Sequence, residues 1–181
     1  MSWEFSILDA LQNLHTPLFD RIMVFVTSLG NAGWFWIVLG LGLMISKKYR
    51  KGGILVLGAL IFSALVGNII LKPLVARPRP CWVRDTVQLL IAVPRDYSFP
   101  SGHTQASFAA ASALMQTNKK AGISAYILAA LIAFSRLYLY VHFPTDVLAG
   151  ILIGICCGLL SGWIFGKAGE KREEKETERK Q

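Results

Sequence analysis

Three uninterrupted apolar stretches, residues 52–71, 122–141 and 147–166, constrain this chain more than any other feature of its sequence. Each is about 20 residues long, the length a helix needs to cross a bilayer core of about 30 Å. Inside that core only a helix or a closed barrel satisfies its own backbone polar groups. With 54% hydrophobic and only 17% charged residues in 181, the chain is too apolar for an ordinary water-soluble domain, so the runs read as membrane spans. A fourth run, 34–46, reaches spanning length only if it starts near Asn31 or is helped by neighbours. A fifth, 103–117, is short and carries Ala106, Ala109, Ala110, Ala111 and Ala113; small side chains let backbones approach, which predicts a central helix rather than a lipid-facing one. The expected fold class is all-α, a polytopic membrane helix bundle of about five to six spans of this length.

The first 30 residues differ. They mix apolar side chains with Glu4, Asp9, His15, Asp20 and Arg21 and are interrupted by Pro17, which predicts one or two amphipathic helices lying at the interface. The alternative makes 19–29 part of an extra or tilted span. No basic start or small-residue cleavage site marks a secretory signal, so the segment is expected to remain on the mature protein. The domain organisation expected is an interfacial segment (1–30), a membrane domain (31–166) and a charged tail (167–181) of alternating sign, a solvated extension with no catalytic role. Lys47, Lys48, Arg50 and Lys51 fall in one connection, Lys119 and Lys120 in another, and more lysines in the tail; with five spans these share one face, cytoplasmic by the positive-inside tendency. The opposite face nevertheless holds Arg77, Arg79, Arg84 and Arg95, with Lys72 at its edge. Cations against the rule need another reason, and an anionic ligand is the simplest. Although the net charge is +8, there is no basic helix or aromatic platform for nucleic acid. Cys81, Cys156 and Cys157 show neither metal-ligand spacing nor a disulfide framework.

Three polar clusters fall on that same face: "KPLVARPRP" (72–80), "PSGH" (100–103) and "SRLYLYVHFPTD" (135–146). In the second, Pro-Ser-Gly suits a turn entering a helix, Gly102 allows close backbone approach, and the N–H groups of a helix start point at a bound anion. Lys72, Arg79 and Arg136 can complete a phosphate site, since guanidinium groups grip two oxygens at once. Any one of these cations alone would read as an interfacial residue snorkelling to headgroups; the set does not. Imidazole near neutral pH serves as nucleophile or general acid. His142 stands just before Pro144, where a helix must end, and Asp146 follows at a spacing that lets a carboxylate accept from one ring nitrogen and fix the tautomer. His142 is therefore the expected nucleophile, Asp146 its orienter, and His103 the acid for the leaving oxygen. Asp146 or Thr145 could also simply cap the last helix.

Together the clusters resemble the type 2 phosphatidic acid phosphatases, a superfamily that includes vanadium haloperoxidases and glucose-6-phosphatase-like enzymes. Lys72, six residues, Arg79-Pro80 matches the first block of its signature; Pro100-Ser101-Gly102-His103 the second; Ser135-Arg136, five residues, His142, three residues, Asp146 the third. The resemblance implies a phosphohistidine at His142 activated by Asp146, His103 as acid, and phosphoryl oxygens bound by Lys72, Arg79, Arg136, Ser101 and the Gly102 amide. It implies no metal and no cofactor. Many members have six spans, so here the interfacial segment stands where an N-terminal span would be.

The function expected is a membrane lipid phosphatase with its site toward the extracytoplasmic side, and the resemblance to compact bacterial members favours undecaprenyl diphosphate as substrate. Phosphatidylglycerophosphate, phosphatidate and a lipid A phosphate are the alternatives, because the motifs read only the phosphate. A haloperoxidase would use the same pocket for vanadate. A lipid-phosphate or anion transporter would need the intramembrane charges, but not paired histidines, and no repeat suggests alternating access.

Overall fold

A computed structural model describes the backbone of residues 2–178 and the side chains of 3–166. The side chains of the tail predicted over 167–181 lie outside the described residues. Regular structure among the described residues is entirely helical: α1 (Ser2–Gln12), α2 (Pro17–Leu29), α3 (Trp34–Ile45), α4 (Arg50–Ser63), short turns α5 (Lys72–Val75) and α6 (Pro80–Val83), then α7 (Gly102–Met115), α8 (Lys119–Tyr138) and α9 (Pro144–Glu178). The all-α membrane bundle expected from the sequence is the fold observed.

Length and apolarity suffice for a crossing in Arg50–Val83, Lys119–Tyr138 and Pro144–Gly166; these contain the runs 52–71 and 147–166, while the run 122–141 ends three residues beyond its helix, in the turn after Tyr138. Among the described residues, length and composition alone give these three, or four when a bent pair is taken as one span. Pro17–Leu29 and Asn31–Ile45 qualify only as a pair, across a 45° bend. The bend comes from two successive left-handed residues, Ala32 (φ 49°) and Gly33 (φ 68°), which turn the chain out of one helix and into the next. Helix α7, with 14 residues, is about 21 Å long at 1.5 Å per residue and joins the end at Gly102 to the end at Lys119.

That short helix is the centre of the bundle, as its alanines predict: Ala109, Ala110, Ala111 and Ala113 are fully buried, with α4, α8 and α9 packed around it. On the facing side, Gly150, Gly154, Gly158 and Gly162 recur every four residues and so line one face of α9. A Cβ at Gly154 would stand 2.5 Å from the Gln105 carbonyl oxygen and 2.9 Å from Phe108 Cβ. Backbone-to-backbone packing of this kind is what joins helices where lipid removes the hydrophobic drive. Gly154→Ala is therefore expected to destabilise the protein by about 1–3 kcal/mol, the usual cost of overpacking. A thermal unfolding midpoint in detergent equal to that of the wild type would refute this close contact.

Between Ser63 and Lys72 the helix widens into a π-helical segment, Ala64–Leu71, a form that recurs at functional sites because it re-aims the residues around it. Gln105 Nε2 on α7 donates to the Ser63 carbonyl at 2.7 Å, which ties the widened segment to the central helix. Lys72 emerges at its end. The N-terminal pair α1 and α2 packs against α8, and α1 also touches α9. In α1 the side chains of Phe5 and Leu8 join Tyr140 and Phe143 in one buried cluster, so this amphipathic segment docks on the turn that carries His142.

Candidate active site

Helix directions bring the three polar clusters to one end of the bundle, and backbone hydrogen bonds lock them together. Ser98 N–H donates to the Arg77 carbonyl at 2.8 Å, and Ser101 N–H to the Asp146 carbonyl at 3.1 Å. Arg79, 2% exposed, reaches across: its Nη1 donates to the Val141 carbonyl at 2.7 Å and its Nε to the Asp96 carbonyl at 2.7 Å. After α8 the chain reverses through Tyr140, which takes a left-handed φ of 58°. This turn brings His142 back beneath Arg79.

Lys72, Arg79, Gly102, His103, Arg136 and His142 line one cavity of about 420 Å³. Arg79 Nη1 lies 3.0 Å from His142 Nε2; since a guanidinium can only donate, Nε2 accepts and the ring proton is assigned to Nδ1. Burial, then the charges of Arg79, Arg136 and Lys72, hold His142 well below the ordinary histidine pKa. The ring is thus neutral at pH 7, and its Nε2 lone pair, on the cavity side, accepts the Arg79 hydrogen bond. His103 Nε2 pairs with Asn31 Oδ1 at 2.9 Å. Arg136 donates from Nη1 to Thr27 Oγ1 at 2.6 Å, while its Nε is buried with no acceptor among the described residues.

Two expected residues stand back from the cavity. Ser101 is fully buried, and its hydroxyl pairs with Thr104 Oγ1 at 2.9 Å instead of facing an anion. Asp146 sits behind His142 with 3.7 Å between Oδ2 and Nδ1, beyond hydrogen-bond length. The direct hydrogen bond expected of it is interrupted by Ser98, whose hydroxyl donates to Asp146 Oδ2 at 2.5 Å and lies 3.5 Å from His142 Nδ1. The same Asp146 oxygen accepts the Phe143 N–H at 2.9 Å, so the carboxylate also serves the start of α9. Capping and facing the imidazole coexist.

Sequence reasoning missed Ser98, Thr27, Asn31 and Asp96. Asp96 binds Lys72 through its Oδ2 and accepts from Arg79 Nη2 on Oδ1 at 2.8 Å. Partial burial pushes its carboxyl up, but the hydrogen bonds and charges of Lys72 and Arg79 outweigh this and hold it at about 2. An internal carboxylate thus rests on two of the three cations of the cavity. No spacing rule finds Asp96. The available signal was the surplus of positive charge on this face, which required an anion of some kind.

The chain is similar to known proteins in sequence and in fold. Residues 52–170 match the model of the PAP2 superfamily. Undecaprenyl-diphosphatase BcrC of Bacillus subtilis is 34% identical over 149 residues, covering 81% of this chain and 76% of that protein. Lipid A 4'-phosphatase of Porphyromonas gingivalis is 28% identical, covering 82% and 66%. Among solved structures, a transmembrane PAP2-type phosphatidylglycerolphosphate phosphatase from Bacillus subtilis superposes with a TM-score of 0.77 at 27% identity, covering 92% of this chain and 86% of that one. With the matched region spanning all three polar clusters, the chain belongs to the PAP2 superfamily and is a membrane lipid phosphatase of that type.

Proposed function

We propose that this phosphatase hydrolyses undecaprenyl diphosphate through a phosphohistidine at His142, on the extracytoplasmic side of the membrane. The observation that carries the reading is the cavity itself: three fixed cations converge with two histidines, and the buried Arg136 Nε still lacks an acceptor among the described residues. A phosphoryl oxygen supplies one. Beside this polar cavity runs a larger apolar groove of about 800 Å³, lined by Ile37, Leu57, Leu60 and Ile61 and reaching Lys72 and His103. Its chemistry suits a hydrocarbon chain entering from the bilayer. The undecaprenyl-diphosphatase relative shares more identity with the chain than the lipid A and phosphatidylglycerolphosphate phosphatases do, which supports the polyprenyl substrate.

In the proposed reaction the phosphate displaces Asp96 from Lys72 and Arg79, and one of its oxygens takes the Arg79 Nη1–H from His142 Nε2, which frees the Nε2 lone pair. His142 Nε2 attacks phosphorus while the bond to the bridging oxygen breaks, and that oxygen leaves with the electron pair and a proton from the imidazolium form of His103, which the negative charge of the bound phosphate favours. Water then attacks the phosphohistidine. It gives its proton to His103, inorganic phosphate departs, and the imidazole returns to its neutral Nδ1–H form. Charge developing on the phosphoryl oxygens is met by groups already in place, the largest source of catalysis in such sites. Lys72, Arg79 and Arg136 do the charge neutralisation that Mg²⁺ supplies in kinases. For orientation, α4 runs toward Lys72 from the end bearing Lys47, Lys48, Arg50 and Lys51, and α8 runs toward Arg136 from the end bearing Lys119 and Lys120. The positive-inside tendency then makes the site end extracytoplasmic.

Purified protein, assayed for phosphate release in detergent with EDTA present, is expected to prefer undecaprenyl diphosphate over phosphatidylglycerophosphate, phosphatidate and a lipid A phosphate. Vanadate, a mimic of five-coordinate phosphorus, is expected to inhibit. A stronger preference for another lipid would replace the proposed substrate, and inhibition by EDTA that Mg²⁺ reverses would overturn the role given to the fixed cations.

A further inference from the structure

Helix α1 carries an acid where docking does not need one. Phe5 and Leu8 already seat the helix on Tyr140 and Phe143, yet Glu4 beside them is only 4% exposed. A buried ion pair is weak evidence for stability, since desolvation offsets much of its attraction. What Glu4 contacts is more telling. Its Oε2 accepts from Arg77 Nη2 at 2.7 Å and its Oε1 from the Thr145 hydroxyl at 2.6 Å. The other arm of the same guanidinium, Nη1, donates to Asp146 Oδ1 at 2.6 Å and to Thr145 Oγ1 at 2.7 Å. The guanidinium lies over the Phe143 ring, 4.0 Å from its centroid, which fixes its plane.

We propose that Glu4 is a positioning residue for catalysis: through Arg77 it orients Asp146 and leaves the charge of Asp146 available to the His142 ring. The inference rests on the phosphohistidine reading given above. Arg77 alone would cancel the Asp146 carboxylate. With Glu4 on its far side, the row Glu4–Arg77–Asp146 keeps one net negative charge, and in a buried site such charges are poorly screened. When Nε2 takes the phosphoryl group the imidazole becomes cationic, with its Nδ1–H directed at Ser98 and Asp146. The residual charge faces that cation. The other charged groups around the ring do not supply it: Lys72, Arg79 and Arg136 are positive and serve the phosphate, and Asp96 pairs with Lys72 and Arg79. Farther along α1, Asp9 pairs with Arg84 at 2.6 Å and is likewise already compensated.

The test is a double-mutant cycle on the full-length protein in detergent, with undecaprenyl diphosphate as substrate. Glu4→Gln preserves shape and one of the two acceptor oxygens while removing the charge. It is expected to lower kcat about 10-fold, in the range found when the partner that orients a site ligand is lost, with KM within about twofold because the phosphate-binding cations are untouched. In an Arg77→Met background the same change is expected to cost less than about twofold, since Glu4 then has no route to Asp146. Equal losses in both backgrounds, a change confined to KM, or unchanged kcat in folded Glu4→Gln would each overturn the proposal. Should Arg77→Met not purify as folded protein, Arg77→Gln takes its place, and the split between kcat and KM in Glu4→Gln alone distinguishes positioning from a merely structural role. Wild-type turnover that His142→Ala abolishes secures the underlying reading, so failure of the Glu4 inference is seen separately; turnover that survives His142→Ala overturns both.

Discussion

His142→Ala is expected to give a folded protein whose phosphate release falls at least about 10³-fold, the scale on which loss of a covalent nucleophile is felt. The side chain is 1% exposed, and its contacts are polar: Arg79 on Nε2, and Ser98 and Asp146 near Nδ1. Removing it leaves Lys72, Arg79 and Arg136 in place, so binding of vanadate or of substrate is expected to persist. Loss of turnover with retained binding separates chemistry from assembly. Near-normal turnover in the folded variant would remove His142 from the mechanism.

The next largest effect is expected at Arg79. One guanidinium reaches four acceptors: the Asp96 carbonyl and carboxylate, the Val141 carbonyl and His142 Nε2. In the proposed reaction it both binds the phosphate and holds the turn that presents His142. Arg79→Lys keeps the charge but replaces a planar fork with a single ammonium, so some of these acceptors lose their donor. A fall of about 10²-fold in kcat/KM is expected, comparable to the loss of one oriented transition-state donor. Steady-state kinetics on the lysine and alanine variants checks this. If lysine retained nearly full activity while alanine did not, charge alone would suffice and the fork geometry would have no role.

Much of the fold was legible because a bilayer acts locally. A run of about 20 apolar residues must become a helix wherever it sits, and the three long runs appear as the three long helices. The alanines of α7 announced a central helix for the same reason, since small side chains have one use in tight packing. The 34–46 run was ambiguous in sequence, and the structure joins it to α2 across the Ala32–Gly33 bend. Two adjacent left-handed residues leave almost no trace in an apolarity pattern, and an alanine there gives none.

The candidate site divides the same way. Lys72, Arg79, Gly102, His103, Arg136 and His142 were found from three short clusters, because a cation, a helix start and an imidazole each carry their chemistry in a few neighbouring residues, and the topology of the spans brings them to one end. What the clusters could not show is who holds them. Glu4 lies 73 residues from Arg77 and 141 from Thr145 in the chain, and Thr27 lies 109 from Arg136. The sequence determined that this chain enters a membrane and gathers three cations and two histidines at one end of its bundle. Only the tertiary structure decided that Ser98 stands between His142 and Asp146, that Asp96 occupies the cations, and that α1 and α2 brace the site. Periodicity and hydropathy report each segment's affinity for its solvent, whereas the pairing of buried charges depends on docking between distant segments.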